Sequence, residues 1–371
     1  MYMQPKLMSG LRGGLLAATV MGLLGSVSVS SSAVAQTPSD VATQATKEAL
    51  ESWHDSVRHL APPTTGCFEA NYPSTVWKSV ACSAGTLKAR PAPKFKKAIS
   101  ANGMDLYTVG GGNDYAVKTA SLTSLANMWF PEATGLTSEQ SGGAQSGAGS
   151  NGSNLYTLQG NTQLQVNSVG CTQYGYTSCA AWEQFVYGTG VTSTGESGAF
   201  IQTWIFIPGG ENCPAGFQAT PYGASPELST GCVTNSNIAI TPAEPATNLA
   251  HMGIVATATA GGNDVITYTY DGKAYSVSQP DSTVQLAKWW NTTEFNVFGD
   301  GGAGEAQFTA GSSGATVKVR VGVDDGSTAA PTCLGSYGTT GETNNFTLGN
   351  CTATAGSASA RPAINFTETL P

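Results

Sequence analysis

The sequence predicts an all-β protein, and three features of its 371 residues point to that class. Glycine is abundant, at 46 residues, whereas Asp, Glu, Lys and Arg together make up only 11% of the chain. Short runs of β-branched and aromatic residues alternate with turn-forming residues. The eight cysteines are closely spaced in pairs. This combination is typical of a secreted β domain whose loops are closed by disulfides.

The first predicted element is a secretory signal peptide over residues 1–35. Lys6 and Arg12 precede an apolar stretch over 15–24, and the small residues of 33–35 form a cleavage site. No later run approaches the roughly 18 apolar residues that span a membrane. We therefore expect a secreted monomer, extracellular or periplasmic, that has no membrane contact once the signal is removed.

The second predicted element is a small N-terminal module over residues 36–100. It begins with a helix over 39–60, with Ser39 or Asp40 as N-cap and with Trp53 and Val57 at helical spacing. A cysteine-closed loop follows, and then a Pro-rich basic linker over 88–97.

Charge divides the chain at about residue 100. Residues 1–100 hold ten basic and five acidic residues, whereas the rest holds six basic and nineteen acidic residues. The basic module is therefore either a propeptide that inhibits the acidic body electrostatically or a permanent small domain. The acidic body and the short basic tract argue against a nucleic-acid partner.

The cysteines form four sequence-local pairs, which we expect to be disulfides. The pairs are Cys67 with Cys82, Cys171 with Cys179, Cys213 with Cys232, and Cys333 with Cys351. Eight cysteines allow 105 pairings, so spacing alone does not fix this connectivity. The alternative, a zinc site, lacks a C-x-x-C motif, and the chain has only three histidines.

The third predicted element is a β-sandwich over residues 101–371, in which little conventional catalytic chemistry is available. His251 is the only histidine of this region, and neither G-x-S-x-G nor H-E-x-x-H occurs. We expect His251 to be structural, at the start of a strand. A Ca²⁺ site at Asp300 and Glu305 lacks the spacing of a known calcium loop. We expect no metal and no cofactor, which leaves carboxylates and amides for proton transfer.

Three apolar strands carry polar residues at alternate positions. Because successive side chains of a strand point to opposite faces, three pairs should each share a face: Trp182 with Gln184, Gln202 with Trp204, and Glu294 with Asn296. The same alternation sends Glu183 to the face opposite Trp182. The aliphatic face of the Gln202 strand should pack on a second sheet, so Gln202 should line a groove or a water-covered surface.

Two of these strands resemble the active-site strands of the eqolisins, a family of glutamic peptidases. The matching stretches are AFIQTW, residues 199–204, and TEFNVFG, residues 293–299. The resemblance implies that Gln202 is the catalytic glutamine, that Glu294 is the catalytic glutamate, and that Phe295 stands where the family has tryptophan. It also implies a concanavalin A-like sandwich of two seven-stranded antiparallel sheets and a basic propeptide. The motifs are similar, too, to those of exported bacterial proteins of this general type.

The sequence thus predicts a secreted, acid-active endopeptidase that cleaves a polypeptide substrate. Glu294 would be the general base and Gln202 the oxyanion donor, with Trp182, Gln184, Trp204 and Asn296 along the substrate groove. The two catalytic side chains should lie within a few ångströms on neighbouring strands of one concave face. Two alternatives stay open: a sandwich that binds carbohydrate or a surface partner through aromatic residues, and a glycosidase with a second acid facing Glu294.

Overall fold

The computed structural model describes residues 38–60, 62–83, 108–142, 152–302 and 304–371. The predicted signal peptide and the basic linker over 88–97 lie outside these residues. The strands, numbered in chain order, are β1 (Cys67–Asn71), β2 (Lys78–Val80), β3 (Thr108–Gly110), β4 (Asp114–Lys118), β5 (Leu125–Thr134), β6 (Leu136–Gly142), β7 (Gly152–Ser153), β8 (Tyr156–Thr162), β9 (Gln165–Val166), β10 (Ala180–Gly188), β11 (Ser197–Ile207), β12 (Gln218–Thr220), β13 (Thr230–Asn235), β14 (Ala239–Thr241), β15 (Met252–Ala258), β16 (Asn263–Tyr270), β17 (Lys273–Pro280), β18 (Thr292–Gly299), β19 (Glu305–Ala310), β20 (Ala315–Asp324), β21 (Thr332–Tyr337), β22 (Thr343–Thr354) and β23 (Ala363–Leu370).

Helices are few in the described part of the chain. They are α1 (Pro38–Arg58) and α2 (Val169–Thr172), with 3₁₀ turns at Ala246–His251, Asp281–Thr283 and Leu286–Lys288. The chain forms a two-layer β-sandwich, as predicted, although its sheets are larger than the seven strands implied by the eqolisin resemblance.

The larger sheet has thirteen strands, in the order β2-β1-β17-β16-β15-β5-β20-β23-β22-β19-β6-β7, with β3 also paired to β22. The smaller sheet has ten, in the order β12-β13-β11-β10-β8-β18-β4-β21, with β14 on β11 and β9 on β10. Pairing is antiparallel except between β19 and β22. This topology brings β11 and β18, which carry the two sequence motifs, into one sheet.

Alternation along each strand builds the core. On β11, Ile201, Ile205 and Ile207 join the main apolar cluster between the sheets, whereas Trp204 and Phe206 belong to a separate cluster on the opposite face. This division confirms the predicted aliphatic face of the strand.

The larger sheet covers β18 on both of its faces. Phe295 contacts Phe130 of β5, with ring centroids 5.1 Å apart. The next residue, Asn296, points to the other face, and its amide donates to Glu368 of β23 at 2.7 Å. Because β5 and β23 lie in the same sheet, residues of that sheet contact both faces of β18.

The segment predicted as a separate N-terminal module is partly integrated into the sandwich. Strand β1 pairs with β17 along five residues, and Trp53 and Val57 of α1 are buried beside Ala70 and Ala274. One compact unit runs from Thr46 to Pro371. Both a domain boundary at residue 100, which lies outside the described residues, and processing of the chain there stay predictions.

All four expected disulfides form, each between the cysteines paired by spacing. Within the described residues no helix is long and apolar enough to cross a membrane. The cysteine usage is that of a protein that folds in an oxidising compartment.

Candidate functional site

A row of polar side chains crosses five adjacent strands of the smaller sheet. Asn235 lies opposite Gln202, Gln202 opposite Gln184, Gln184 opposite Asn161, and Asn161 opposite Glu294. Directly opposed residues of antiparallel strands project from the same face. The register therefore places both sequence-predicted catalytic residues on one face, called here the site face.

Glu294 is fully buried at one end of this row, and its two carboxyl oxygens differ. Oε2 accepts hydrogen bonds from the Asn161 side-chain amide at 3.2 Å, from the Thr339 backbone N–H at 2.9 Å, and from the Thr339 hydroxyl at 3.2 Å. Oε1 has no hydrogen-bond partner among the described residues. The described residues thus hold Oε2 in place through three donors but give Oε1 no hydrogen bond.

Burial raises the pKa of Glu294 above its ordinary value, because the charged form is desolvated. The hydrogen bonds from Thr339 and Asn161 oppose this rise, since they stabilise the carboxylate. A carboxyl with a raised pKa exchanges protons in mildly acidic solution more readily than an exposed glutamate does.

Amide side chains connect the centre of the row to Glu294. The Gln184 amide donates to Asn161 at 2.9 Å and to Gln159 at 3.0 Å. Asn161 donates in turn to Gln159 at 3.3 Å as well as to Glu294. These bonds orient the Asn161 amide so that its nitrogen donates to both Gln159 and the Glu294 carboxyl.

Gln202 belongs to a separate part of the row. Its amide donates to Asn235 at 3.0 Å, and its carbonyl accepts from the Trp204 indole at 2.9 Å, so both ends of this buried side chain are satisfied. Strands β10 and β8 lie between β11 and β18. At roughly 4.8 Å per strand, Gln202 and Glu294 are about 14 Å apart along the sheet. The expectation that they lie on neighbouring strands is wrong.

The two tryptophans predicted to wall the groove are buried and do not line an open surface. Trp182 and Trp204 pack with Phe206 and Leu228 in one apolar cluster, and the Trp204 and Phe206 rings stack at 5.8 Å. Leu228 belongs to the disulfide-closed segment between β11 and β13, which covers this end of the site face. Neither ring offers the exposed platform expected of a carbohydrate-binding sandwich.

Asn296 bridges buried acids instead of lining a groove. Its side-chain amide donates to Asp114 at 3.2 Å and to Glu368 at 2.7 Å. Burial raises the pKa of Asp114 well above its ordinary value and that of Glu368 to about 8, and the Glu294 charge adds to the rise at Asp114.

Glu183 lies on the opposite face, as predicted, in a second group of buried acids. Its carboxylate accepts from Thr203 at 2.9 Å and from Gln279 at 2.8 Å. Its other neighbours are the carboxyl groups of Asp264 and Asp281. Thr203 of β11 and Gln279 of β17 come from different sheets, so this group joins the two layers.

The remaining candidates have structural positions. His251 ends a 3₁₀ turn just before β15, where its ring contacts the Asp271 carboxylate at 2.6 Å. Glu305 is the first residue of β19 and does not lie in the glycine-rich stretch that precedes this strand. No cluster of His, Cys, Asp or Glu suited to a metal ion occurs in the ranges that the structure covers.

Sequence reasoning missed four residues around Glu294. Asn161 could have been found, because the β8 sequence YTLQGNT carries two amides at alternate positions of an apolar strand. Thr339, Asp114 and Glu368 lack such a signal. They come from a loop and from the ends of two distant strands, and only the three-dimensional arrangement brings them to β18.

Comparison with known proteins adds little to this geometry. No protein-family model and no curated protein matches the chain. The chain is similar to a solved structure described as scytalido-glutamic peptidase with a transition state analog inhibitor. The match has 11% sequence identity and a TM-score of 0.28, and it covers 70% of this chain and 97% of that chain. A similarity this low does not assign an activity.

Proposed function

We propose that this chain is an endopeptidase, most active in mildly acidic solution, in which Glu294 is the general base and then the general acid. The observation that supports the proposal is the asymmetry of the buried carboxyl. Three donors hold Oε2, whereas Oε1 has no partner among the described residues. A raised pKa suits a group that must both accept and return a proton.

The reaction balances with water as the only co-reactant. Oε1 of ionised Glu294 takes a proton from water while the water oxygen forms a bond to the peptide carbonyl carbon. Amide N–H groups of the row stabilise the resulting oxyanion. The C–N bond then breaks, the proton on Glu294 passes to the leaving nitrogen, and the products are a carboxylic acid and an amine.

Two amides are candidates for the oxyanion donor. Gln202 is the candidate implied by the sequence motif. Asn161 is favoured by position, because it lies directly opposite Glu294 and already donates to it, whereas two strands separate Gln202 from Glu294. An oxyanion donor must lie about 3 Å from the developing charge. We therefore expect Asn161 to contribute more than Gln202.

The decisive experiment is digestion of a denatured protein by the purified, acid-incubated chain, followed by mass spectrometry from pH 2 to 7. We expect Glu294→Gln to lose at least about 10²-fold in rate, the lower end for a lost general base. Asn161→Ala should lose a similar factor as a lost oxyanion donor, and Gln202→Ala less.

Glu183→Gln is the matched control for that digestion, since it changes a buried glutamate on the opposite face of the same sheet. Equal cleavage by wild type and Glu294→Gln would overturn the proposal. A larger loss in Gln202→Ala than in Asn161→Ala would restore the assignment made from the motif.

A glycosidase is the second candidate, and one observation favours it. Glu294 lies opposite Ala116 on β4, so Asp114 is its diagonal neighbour on the same face, with roughly 7–8 Å between the two Cα atoms. Inverting glycosidases use two acids on either side of the scissile bond, with their carboxyl groups about 6.5–9.5 Å apart. Release of reducing sugar from a polysaccharide panel, abolished in both Glu294→Gln and Asp114→Asn, would replace the peptidase proposal.

A further inference from the structure

A short loop covers Glu294. Residues 338–342, of sequence GTTGE, connect β21 to β22 and lie over the end of the polar row. The backbone N–H and the hydroxyl of Thr339 both bind Oε2 of Glu294, at 2.9 and 3.2 Å. With this loop in place the Glu294 side chain has no solvent exposure. A substrate can reach Glu294 only after the loop has moved.

The Thr339 hydroxyl occupies a small polar pocket. The Trp182 indole N–H donates to this hydroxyl at 3.0 Å. The Thr162 carbonyl lies 3.3 Å from the same oxygen, next to Oε2 of Glu294. The hydroxyl therefore accepts from Trp182 and has one proton to donate towards Glu294 or Thr162, while the Trp182 indole also donates to the Thr162 carbonyl at 3.0 Å.

A disulfide and a glycine fix where the loop begins and ends. The Cys333–Cys351 disulfide links β21 and β22, the two strands that the loop connects. At Gly338 the backbone has φ of +150°, and an added Cβ would come within 3.0 Å of the Gly112 nitrogen. A glycine is thus required where the loop leaves β21. Beyond this point Thr339 supplies the side-chain contact with Glu294.

We propose that residues 338–342 form a lid whose Thr339 fills the substrate subsite beside Glu294, and that this subsite takes a serine or threonine side chain of the substrate. The inference rests on the proposed peptidase function. When the lid opens, Glu294 loses both donors of Thr339, whereas Trp182 and Thr162 stay hydrogen-bonded to each other. The loss of these donors to a buried carboxyl disfavours the open state, and a substrate hydroxyl restores the hydrogen bonds that the Thr339 hydroxyl made to Glu294 and Trp182. Valine has the shape of threonine but restores none of them.

The specificity test uses pairs of synthetic octapeptides that are identical except for threonine or valine at one position. Each position is tried in turn at the pH of maximal activity. We expect wild type to prefer threonine at one position next to the cleaved bond by about 10- to 100-fold in kcat/KM, since an isostere lacking the hydroxyl leaves buried groups unpaired.

Trp182→Phe keeps an aromatic ring but removes the indole donor, so it should lower this threonine-to-valine ratio to below about threefold. Trp204→Phe is the matched control. Its indole binds Gln202 and not Thr339, so its ratio should stay near that of wild type. Equal kcat/KM values for the two peptides at every position, or equal changes in ratio for the two tryptophan variants, would overturn the subsite.

The lid is tested without catalysis by hydrogen–deuterium exchange of the peptide that contains residues 338–342. Thr339→Val removes the hydroxyl and should increase exchange of the loop amides by about tenfold, whereas Thr339→Ser should resemble wild type. Exchange that is unchanged in Thr339→Val would overturn the lid even if the chain is active. If wild type cleaves no substrate but Thr339→Val still increases exchange of the loop, the peptidase function and its subsite are overturned, whereas the lid is supported.

Discussion

We expect the folded protein to lose stability as pH rises towards 8, and Asp264→Asn should remove much of that loss. Asp264 is buried on β16, with the carboxyl groups of Glu183 and Asp281 beside it and no amide or hydroxyl donor among the described residues. Burial, followed by the charges of these two neighbours, raises the pKa of Asp264 well above its ordinary value. Protonated Asp264 and Glu183 therefore help to hold the two sheets together.

The expected magnitude follows from Glu183, whose pKa burial raises from 4.5 to about 8. Between these values the native state keeps a proton that the unfolded state has lost. The stabilisation is therefore complete below about pH 4.5 and is lost as pH rises to about 8. At 1.36 kcal/mol per unit, the difference corresponds to roughly 5 kcal/mol. Glu368 has a similarly raised pKa and adds a loss of the same sign.

The assay is urea unfolding at 25 °C with the disulfides intact, at pH 4, 6 and 8. Asparagine at position 264 offers N–H donors to both neighbouring carboxylates without needing a proton. We expect Asp264→Asn to unfold within about 1 kcal/mol of wild type at pH 4 and to be about 2–3 kcal/mol more stable than wild type at pH 8. Glu211→Gln, which changes an exposed acid, is the control and should follow wild type at each pH.

Two results would refute this reasoning. A wild-type urea midpoint that is the same at pH 4 and pH 8 would show that the buried carboxyls do not control stability. An Asp264→Asn variant that is destabilised equally at both pH values would show that Asp264 contributes through shape and packing, and not through its proton.

Three further changes test other parts of the structure by unfolding measurements. Asn296→Leu should cost about 2–4 kcal/mol at pH 7, because one amide serves two buried carboxyls, and more at pH 9, where Glu368, with a pKa of about 8, is ionised; an equal cost at both pH values would contradict this reason. Trp53→Ala should lower the free energy of unfolding by about 3 kcal/mol or more, because the ring is buried. Ser56→Ala, at an exposed position of the same helix, should lower it by under about 0.5 kcal/mol. An unchanged unfolding transition for Trp53→Ala would favour an N-terminal segment that can be released. Replacing both Cys333 and Cys351 with serine should cost about 2–4 kcal/mol, and no change would mean that the loop they close is ordered by its other contacts.

The sequence predicted the class of the fold because that class depends on local patterns. Alternation along β11 identified the core-facing side of the strand, and the same alternation sent Glu183 away from Trp182. Cysteine spacing identified the disulfides because each links segments that are close in the chain. Each of these properties depends on residues that lie within about twenty positions of one another in the sequence.

The arrangement of the site depends on sheet order, which local patterns do not encode. The motifs of β11 and β18 correctly share a face, but nothing in either motif shows that β10 and β8 lie between them. Thr339 and Glu368 approach Glu294 and Asn296 from a loop and from the other sheet. Such contacts follow from how residues of the larger sheet contact both faces of β18, a property of the whole chain.

The buried acids of the sandwich link the site to the pH at which the protein should work. Among the described residues of the sandwich, nine acidic side chains are buried and no lysine or arginine is. Burial raises the pKa of Asp114, Glu183, Asp264, Glu294 and Glu368, because a proton removes the cost of a buried charge. The same acidity that keeps the inter-sheet carboxyls protonated also suits a buried Glu294 that exchanges protons with water. Stability therefore favours the acidic range, and a rise towards pH 8 should weaken the fold even though it favours the ionised form of Glu294 that acts as a base.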